Sequence, residues 1–400
     1  MEPYQDKVRG VWSKGRRRGD KETSRFMKNA FIYSDAYFDF DYGPTHPLKI
    51  IRLKLTYELI RAYGFLKLPS VQFIPAMKAD ENDLARFHSR EYLDALKQSS
   101  DGRLHGGSYS YGLGPGDNPV FPGLLDWSLW VTGATLQAAD FVSEGRGDVA
   151  FNIAGGLHHA HEARASGFCY VNDPVIGILR LLDQGKRMIY LDLDAHHGDG
   201  VQKAFYHTDR VMTISLHESG ATLFPGSGFE TEIGEGAGEG YAVNVPLPPY
   251  TDDELYTWAF EEVVPPLIHG FLPDVVVTEL GVDTFYSDPL TNLHLTIRGY
   301  EKILRRIKTL SKHWVALGGG GYDISNVARA WTLAWAIMNG IELEEELPES
   351  YLAKAAKVGV RERRLREGAK PSISPYRGDT EGEVKRVVAY IKETVFPRVI

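Results

Sequence analysis

The sequence contains a single cysteine, Cys169, among 400 residues. This excludes an intramolecular disulfide and argues against a structural thiolate metal site. It is also typical of a reducing compartment, so we expect a cytoplasmic location. No apolar run approaches the roughly 18 residues of a membrane-spanning helix, so no membrane partner is expected. The net charge of −8 argues against general affinity for nucleic-acid phosphates. What remains is the composition of a globular protein, with 43% hydrophobic and 24% charged residues.

The first 27 residues are rich in lysine and arginine and have no apolar core. We therefore expect no secretion signal, and we interpret the segment 1–27 as a disordered basic extension. A nucleic-acid-binding arm and an organelle transit peptide are the alternatives. Met27, directly before the first strand-like run, is a second candidate start of translation.

From Ala30 onwards, short β-like runs alternate with helical patterns. This alternation predicts an α/β fold with a mostly parallel central sheet and helices on both faces. No linker divides the chain, so we expect one domain over 28–375 and a helical segment at 376–400 that docks on it. Strands are predicted at 30–33, 148–153, 188–193, 211–217, 274–280 and 313–317, and helices at 50–60, 84–96, 124–142, 174–182, 252–268 with Thr251 as N-cap, 297–307, 327–338 and 381–394.

Residues 190–200 join an apolar strand to a loop that carries two histidines and three carboxylates. Asp192 and Asp194 interrupt the strand where it would leave the sheet, and chemistry in open α/β sheets lies at that end. Asp194 and His196 are two residues apart, so an extended strand end would point both to one side. A single such residue would suit an ordinary strand–loop boundary, but five ionisable groups in eight positions favour a functional site.

Three further predicted strands also end in polar or flexible residues, at 158–159, 283 and 321–322. Singly, His158 and His159 could be satisfied core groups, Asp283 a helix N-cap and Tyr322 a packing residue. Their shared position at strand ends indicates one pocket at one edge of the sheet.

One nitrogen and two oxygens from Asp194, His196 and Asp283 form a candidate metal-ligand set. Three protein ligands with a vacant position describe a catalytic rather than a structural zinc site. Fe(II), Co(II) and Mn(II) are also compatible, since carboxylates and imidazole select weakly among these metals.

Metal-assisted hydrolysis also needs a proton shuttle and a donor to the developing oxyanion. His158 and His159 can supply the shuttle, with Asp192 and Asp199 as partners that fix their tautomers. Tyr322, approached through glycines, can supply the donor. The inferred chemistry is hydrolysis of an amide or an ester-like carbonyl.

Five segments, in order, resemble the zinc-dependent histone deacetylase superfamily: 155–159 (GGLHH), 165–170 (ASGFCY), 192–202 (DLDAHHGDGVQ), 281–283 (GVD) and 318–322 (GGGGY). The likeness runs from about Phe31 to Gly340. Two more segments, 42–47 (YGPTHP) and 288–291 (DPLT), look most like the bacterial acetoin-utilisation deacetylases, close to class I. The resemblance implies the arginase/deacetylase fold and hydrolysis of N-acetyl-lysine to lysine and acetate.

The resemblance also implies a role for each matching residue. His159 with Asp199 matches the general base, and His158 with Asp192 matches its electrostatic partner. Tyr322 matches the group that polarises the acetyl oxygen. The remaining roles are zinc ligation by Asp194, His196 and Asp283, and substrate binding by Asp117 at the rim, Gly167, Phe168, Phe224 and Leu290 along the channel, and Arg52 near the acetate exit.

The family also carries monovalent cation sites, usually for potassium. The resemblance places one at Asp192, Asp194, His196, Ser215 and Leu216, and a second at Phe205, Thr208, Val211 and Tyr241.

Two residues depart from the family pattern. Glu279 stands where relatives usually have glutamine. An ionised carboxylate there would partner a neighbouring polar group or alter metal affinity. The other interpretation is a conservative exchange within the strand, and we prefer it. His161 is an extra imidazole near the histidine pair, and we expect a solvated or supporting role rather than metal ligation.

Three alternatives accompany the predicted protein or peptide deacetylase. The first is an enzyme that acts on small acetylated amines such as acetylpolyamines, since an aromatic slot with an acidic rim suits either substrate. The second is a non-catalytic binding module on the same fold. The third is a ureohydrolase-like enzyme, which normally needs a two-metal carboxylate set. The sequence does not specify the native substrate, the physiological metal or the oligomeric state.

Overall fold

Eight parallel strands form one sheet in the computed structural model, which describes residues 28–367 and 374–400. The order across the sheet is β2-β1-β3-β8-β7-β4-β5-β6, and every neighbouring pair is parallel. The predicted α/β fold with a parallel sheet is confirmed. The strands are β1 Asn29–Tyr33, β2 Val71–Pro75, β3 Val149–Asn152, β4 Met188–Asp192, β5 Val211–Glu218, β6 Ala242–Leu247, β7 Val275–Glu279 and β8 Trp314–Leu317.

Helices flank the sheet, and most of them follow the predicted positions. The helices are α1 Ile51–Ala62, α2 Glu81–Leu84, α3 Arg90–Ser99, α4 Leu124–Ser143, α5 Asp173–Asp183, α6 Asp199–Phe205, α7 Asp253–Phe271, α8 Ile297–Leu310, α9 Ile324–Met338, α10 Glu349–Ala355, α11 Arg377–Thr394 and α12 Phe396–Val399. β2 and β6, which lie at the two edges of the sheet, were not among the predicted strands.

Local capping explains why the starts of α7 and α3 differ from the prediction. The Asp252 side chain caps α7 by accepting from the backbone N–H groups of Glu254 and Leu255, whereas the Thr251 hydroxyl donates to the Pro248 carbonyl. Thr251 as N-cap was therefore wrong by one residue. The pattern at 84–96 is not one helix, since α3 begins afresh after Ser89, whose hydroxyl accepts from the Tyr92 N–H.

The four strands that carry the candidate functional residues are neighbours in the sheet, in the order β3, β8, β7 and β4. β4 and β7 are entirely buried, as expected for parallel strands covered on both sides. Their carboxyl ends meet at one edge, because all eight strands run in the same direction. The fold thus gathers residues that lie more than a hundred positions apart in the sequence.

The C-terminal helix α11 packs against α7 and β6 through its buried residues Val384, Val387, Val388 and Ile391. It begins at Arg377, four residues before the predicted start. The basic extension predicted at 1–27 lies outside the described residues. Across 28–367 and 374–400, no helix is long and apolar enough to cross a membrane.

Candidate metal centre and active site

Asp194, His196 and Asp283 converge at the ends of β4 and β7. His196 Nδ1 lies 3.1 Å from Asp194 Oδ1 and 3.0 Å from Asp283 Oδ2. All three side chains are buried, and their candidate ligand atoms lie within 4.8 Å of one another. Two carboxylates and one imidazole at this spacing can share one divalent cation.

Backbone groups fix the orientation of both carboxylates. Gly320 N–H donates to Asp194 Oδ2 at 2.6 Å, and Ala195 N–H donates to Asp283 Oδ1 at 2.8 Å. A Cβ on Gly320 would lie 2.2 Å from Asp283 Oδ2 and 2.5 Å from Asp194 Oδ2. The glycine at 320 is therefore required for the two carboxylates to approach each other.

The electrostatics of this cluster fit a bound cation. Burial, and then the charge of Asp194, raise the pKa of Asp283 to about 6. A buried carboxylate pair is costly unless positive charge compensates it. The donor set and its charge therefore suit zinc or a similar divalent metal.

His158 and His159 follow β3 and face each other beside the metal cluster. His158 Nδ1 lies 2.9 Å from Asp192 Oδ2, and His159 Nδ1 lies 2.8 Å from Asp199 Oδ1. The two Nε2 atoms are 3.0 Å apart. The structure thus brings the two predicted histidine–carboxylate pairs into one contact.

The two imidazoles differ in their affinity for a proton. Burial opposes the charge on His158, but the Asp192 carboxylate outweighs it and raises the pKa of His158 to about 9. Burial and then the positive charge of His158 lower the pKa of His159 to about 3, against the pull of Asp199. His158 is therefore the cationic member of the pair, and His159 is the neutral member, whose Nε2 accepts from His158 Nε2 3.0 Å away.

Glu279 adds a third buried carboxyl group to this network. It pairs with Asp192 across β4 and β7, and its Oε1 lies 3.2 Å from His158 Nδ1. The Tyr190 hydroxyl donates to Glu279 Oε2 at 2.5 Å and lies 2.9 Å from Asp192 Oδ2. Burial, and then the charges of Asp192 and Asp194, raise the pKa of Glu279, which favours its neutral form.

Tyr322 lies at the end of the glycine loop that follows β8. Gly319 and Gly321 have φ values of 115° and 136°, which a larger residue rarely adopts. The ring of Tyr322 stands edge-on to Phe168 with ring centroids 5.6 Å apart, and edge-on to His196 at 6.4 Å. Burial, and then the charge of Asp283, raise the pKa of Tyr322, so its hydroxyl keeps its proton and can donate.

Asp288 supports this loop and received no role from the sequence. Its Oδ2 accepts from the backbone N–H of Tyr322 at 2.8 Å, and its Oδ1 accepts from that of Leu290 at 3.0 Å. The segment 288–291 was noted only as a family pattern. The carboxylate joins the Tyr322 loop to the channel residue Leu290.

Two aromatic side chains, Phe224 and Phe168, lie beside the histidine pair. The Phe224 ring stands 5.0 Å from that of His159 and is 43% exposed, so it reaches from the site to the surface. A Cβ on Gly167 would lie 2.5 Å from His159 Cδ2, so only glycine leaves this approach open. Phe168 lines a small cavity together with Gly167 and the histidine pair, and Leu290 is exposed.

Asp117 lies at the protein surface, and Arg52 lies in the interior. Asp117 is exposed and lines a surface hollow of about 360 Å³ together with Gly167 and Phe224. Arg52 is buried, donates to the Gly321 carbonyl at 3.0 Å and stacks over Trp331. The assignments of Asp117 to the rim and of Arg52 to the acetate exit stay predictions.

The predicted potassium residues occupy two places around β5. Ser215 pairs with Asp192 across β4 and β5, and the Leu216 carbonyl accepts from the Tyr256 hydroxyl at 3.2 Å. Around the start of β5, the carbonyls of Phe205 and Tyr241 accept from Thr208 and Thr213 N–H. Val211 is the first residue of this strand.

His197 and His161 do not belong to the candidate metal-ligand set. His197 Nδ1 lies 2.9 Å from the Ser227 hydroxyl and Nε2 lies 3.1 Å from Gln202 Oε1, in agreement with its lack of an assigned role. His161 Nε2 lies 3.3 Å from Asp199 Oδ2. The extra imidazole therefore contacts the carboxylate that supports His159.

A carboxylate–imidazole metal centre beside a histidine pair, at the carboxyl edge of a parallel sheet, is typical of metal-dependent hydrolases. Comparison with known proteins narrows this class. Residues 46–338 match the family model described as histone deacetylase domain. The chain therefore belongs to the histone deacetylase family and is a deacetylase of the hydrolase class.

The relatives agree with this membership along most of the chain. The acetoin utilization protein AcuC of Bacillus subtilis (strain 168) is 40% identical over 334 residues, which cover 82% of this chain and 86% of AcuC. Histone deacetylase RPD3 of Saccharomyces cerevisiae is 39% identical over 322 residues, covering 80% of this chain and 73% of RPD3.

Solved structures show the same fold. A crystal structure of an HDAC homolog from Aquifex aeolicus superposes with a TM-score of 0.81 at 34% identity, covering 90% of this chain and 100% of the homolog. An HDAC homolog complexed with SAHA gives a TM-score of 0.80 at 34% identity, covering 90% of this chain and 99% of that one. The family match favours the deacetylase prediction over a ureohydrolase.

Proposed function

We propose that this chain hydrolyses the N-acetyl-lysine side chain of a protein or peptide to lysine and acetate. The observation that carries the proposal is the position of His159, whose ring contacts His196 of the metal cluster on one side and Phe224 on the other. The surface hollow at Phe224 and the small cavity that reaches Asp194 share Gly167, and a narrow approach of this kind suits a long, thin substrate group with its carbonyl at the tip.

Asp194, His196 and Asp283 would hold the metal ion, for which zinc is the family norm. When bound, such an ion polarises a carbonyl and acidifies water. His159 Nε2 accepts the proton of the attacking water, since the lowered pKa leaves the ring unprotonated and Asp199 holds its Nδ1. The same nitrogen then delivers the proton to the leaving amine of lysine.

His158 and Tyr322 would stabilise the charge that develops during the reaction. His158 keeps its proton through Asp192 and places positive charge 3.0 Å from His159 Nε2. The Tyr322 hydroxyl donates to the developing oxyanion, since its raised pKa keeps the phenol protonated.

The substrate side chain would lie between Phe168 and Phe224, with Gly167 and Leu290 beside it. At the rim, the exposed Asp117 carboxylate accepts from the backbone N–H groups of a peptide substrate. Arg52, next to the Gly321 carbonyl, would line the route by which acetate leaves.

Further parts of the proposal concern ions, domains and location. Potassium would bind at Asp192, Asp194, His196, Ser215 and Leu216, and at Phe205, Thr208, Val211 and Tyr241, where it would hold the ends of β4 and β5 in place. We propose one catalytic domain over 28–375 with 376–400 docked on it, and a cytoplasmic location.

The alternative substrate is a small acetylated amine such as an acetylpolyamine, which the acidic rim at Asp117 would also attract. Metal-loaded protein should be assayed in parallel on acetyl-lysine peptides and acetylpolyamines. We expect a higher kcat/KM on the peptides, and Asp117→Asn should lower kcat/KM on peptides by raising KM. Much better turnover of the polyamine would overturn the peptide assignment, and no turnover of either would overturn the reaction.

A further inference from the structure

Asp199 is held by imidazoles on both of its carboxylate oxygens. Oδ1 lies 2.8 Å from His159 Nδ1 and also accepts from the Gly200 N–H at 3.0 Å. Oδ2 lies 3.3 Å from His161 Nε2. The carboxylate therefore forms a bridge from the active site to a second histidine two residues further along the chain.

His161 differs from the catalytic pair in its access to solvent. Its side chain is 25% exposed, whereas those of His158 and His159 are 4% and 5% exposed. It lies where two surface hollows, of about 570 Å³ and 440 Å³, meet. Its Nδ1 makes no hydrogen bond within the described residues. Nε2 is thus the only ring nitrogen of His161 with a contact, and that contact is Asp199.

We propose that His161 is a positioning residue that acts through Asp199 on His159, an inference that rests on the proposed function. By donating Nε2–H to Oδ2, it fixes the rotation of the Asp199 carboxylate so that Oδ1 faces His159 Nδ1. His161 therefore keeps the Asp199 carboxylate, and through it His159, oriented.

The electrostatics of Asp199 agree with a carboxylate held from two sides. Burial opposes its ionisation, but the contacts from His159 and then His161 outweigh burial and hold the pKa of Asp199 well below its usual range. The other charged or titratable groups around the two hollows are Glu162, Arg164, Lys203, Glu232, Glu235, His197, His207 and Tyr206.

The test compares pH profiles of kcat/KM for the metal-loaded wild type, His161→Ala and His161→Gln on an acetyl-lysine peptide. Without a partner on Oδ2, the Asp199 carboxylate is free to turn away from His159 Nδ1, so the acidic limb of His161→Ala should move by at least half a unit. Its kcat should fall several-fold with KM little changed. Glutamine retains an N–H donor and should restore most of kcat.

The matched control is His207→Ala. His207 lines one of the same hollows, but its side chain is 71% exposed and the acidic group near it is Glu235, 3.9 Å away. Its profile should superpose on that of the wild type. A superposed profile for His161→Ala as well, at unchanged kcat, would overturn the inference.

A second measurement separates this inference from the proposed function. Imidazole ¹⁵N NMR of the metal-loaded protein needs no turnover, and it should show neutral His161 as the Nε2–H tautomer, changed when Asp199→Asn is introduced. An Nδ1–H tautomer would overturn the inference even if deacetylation is found. Absence of turnover together with the Nε2–H tautomer would overturn the reaction and leave the positioning contact in place.

Discussion

Replacing Tyr322 with phenylalanine tests the assignment of the oxyanion donor most directly. Within residues 28–367 and 374–400 the Tyr322 hydroxyl makes no hydrogen bond, whereas its backbone N–H donates to Asp288 Oδ2 and its ring packs edge-on to Phe168. Tyr322→Phe keeps both the backbone bond and the ring, so stability should change by no more than about 0.5 kcal/mol. The lost donor should lower kcat by roughly 10²- to 10³-fold, or about 3–4 kcal/mol.

The assay is kcat on a saturating acetyl-lysine peptide, with metal content and melting temperature measured on the same preparations. Tyr286→Phe is the matched control, because Tyr286 is 39% exposed and has no part in the proposed chemistry. It should retain the wild-type rate. A near-normal kcat for Tyr322→Phe would refute the oxyanion role, and a loss of metal in this variant would refute the separation of Tyr322 from the ligand set.

Three further predictions concern the metal cluster and the histidine pair. Gly320→Ala places a Cβ 2.2 Å from Asp283 Oδ2 and should weaken metal affinity at least about tenfold. The control Gly382→Ala, with open space around it, should not change metal affinity. Equal metal content of the two variants by mass spectrometry would contradict this prediction. Asp283→Ala should lose most of its metal in the same measurement, and full retention would remove it from the ligand set. In metal-free protein, the pKa of His158 is raised to about 9. The protonated ring therefore contributes fully to the free energy of unfolding below about pH 6.5. This contribution, up to about 3 kcal/mol, is lost as pH rises through 9. Denaturant unfolding between pH 6.5 and 9.5 should show this decline. Asp192→Asn should make the decline smaller and leave the part that comes from the raised pKa of His196; an equal decline in both proteins would contradict the assignment.

The site was predictable to the extent that it depends on strand ends. In a parallel sheet all carboxyl ends lie at one edge, so polar residues after four apolar runs imply one pocket whatever the order of the strands. The contacts of His158 with Asp192 and of His159 with Asp199 then have the lengths expected of histidine–carboxylate pairs. This reasoning needs only the direction of each strand.

Asp288 received no role from the sequence, and Glu279 was interpreted as a conservative exchange in preference to a partner of a polar group, because the contacts of both depend on register and loop geometry. Glu279 contacts His158 only because β7 pairs with β4 so that residue 279 stands beside Asp192. Asp288 reaches the Tyr322 N–H from a loop in a different part of the chain. Neither relation leaves a periodic signal in the sequence. The N-cap of α7 was likewise predicted at Thr251 instead of Asp252. Both residue types suit an N-cap, and only the local backbone geometry decides between them.

The site's buried charge links metal binding to protons. Asp192, Asp194 and Asp283 are buried, and within the described chain their ion pairs are to histidines rather than to lysine or arginine. Without metal, burial opposes the charge of His196, but Asp194 and Asp283 outweigh it and raise the pKa of His196 to about 10, so the imidazolium acts as the local cation. A metal ion that ligates His196 must displace this proton. Metal affinity should therefore increase with pH, and the metal contributes to the stability of the fold as well as to its chemistry.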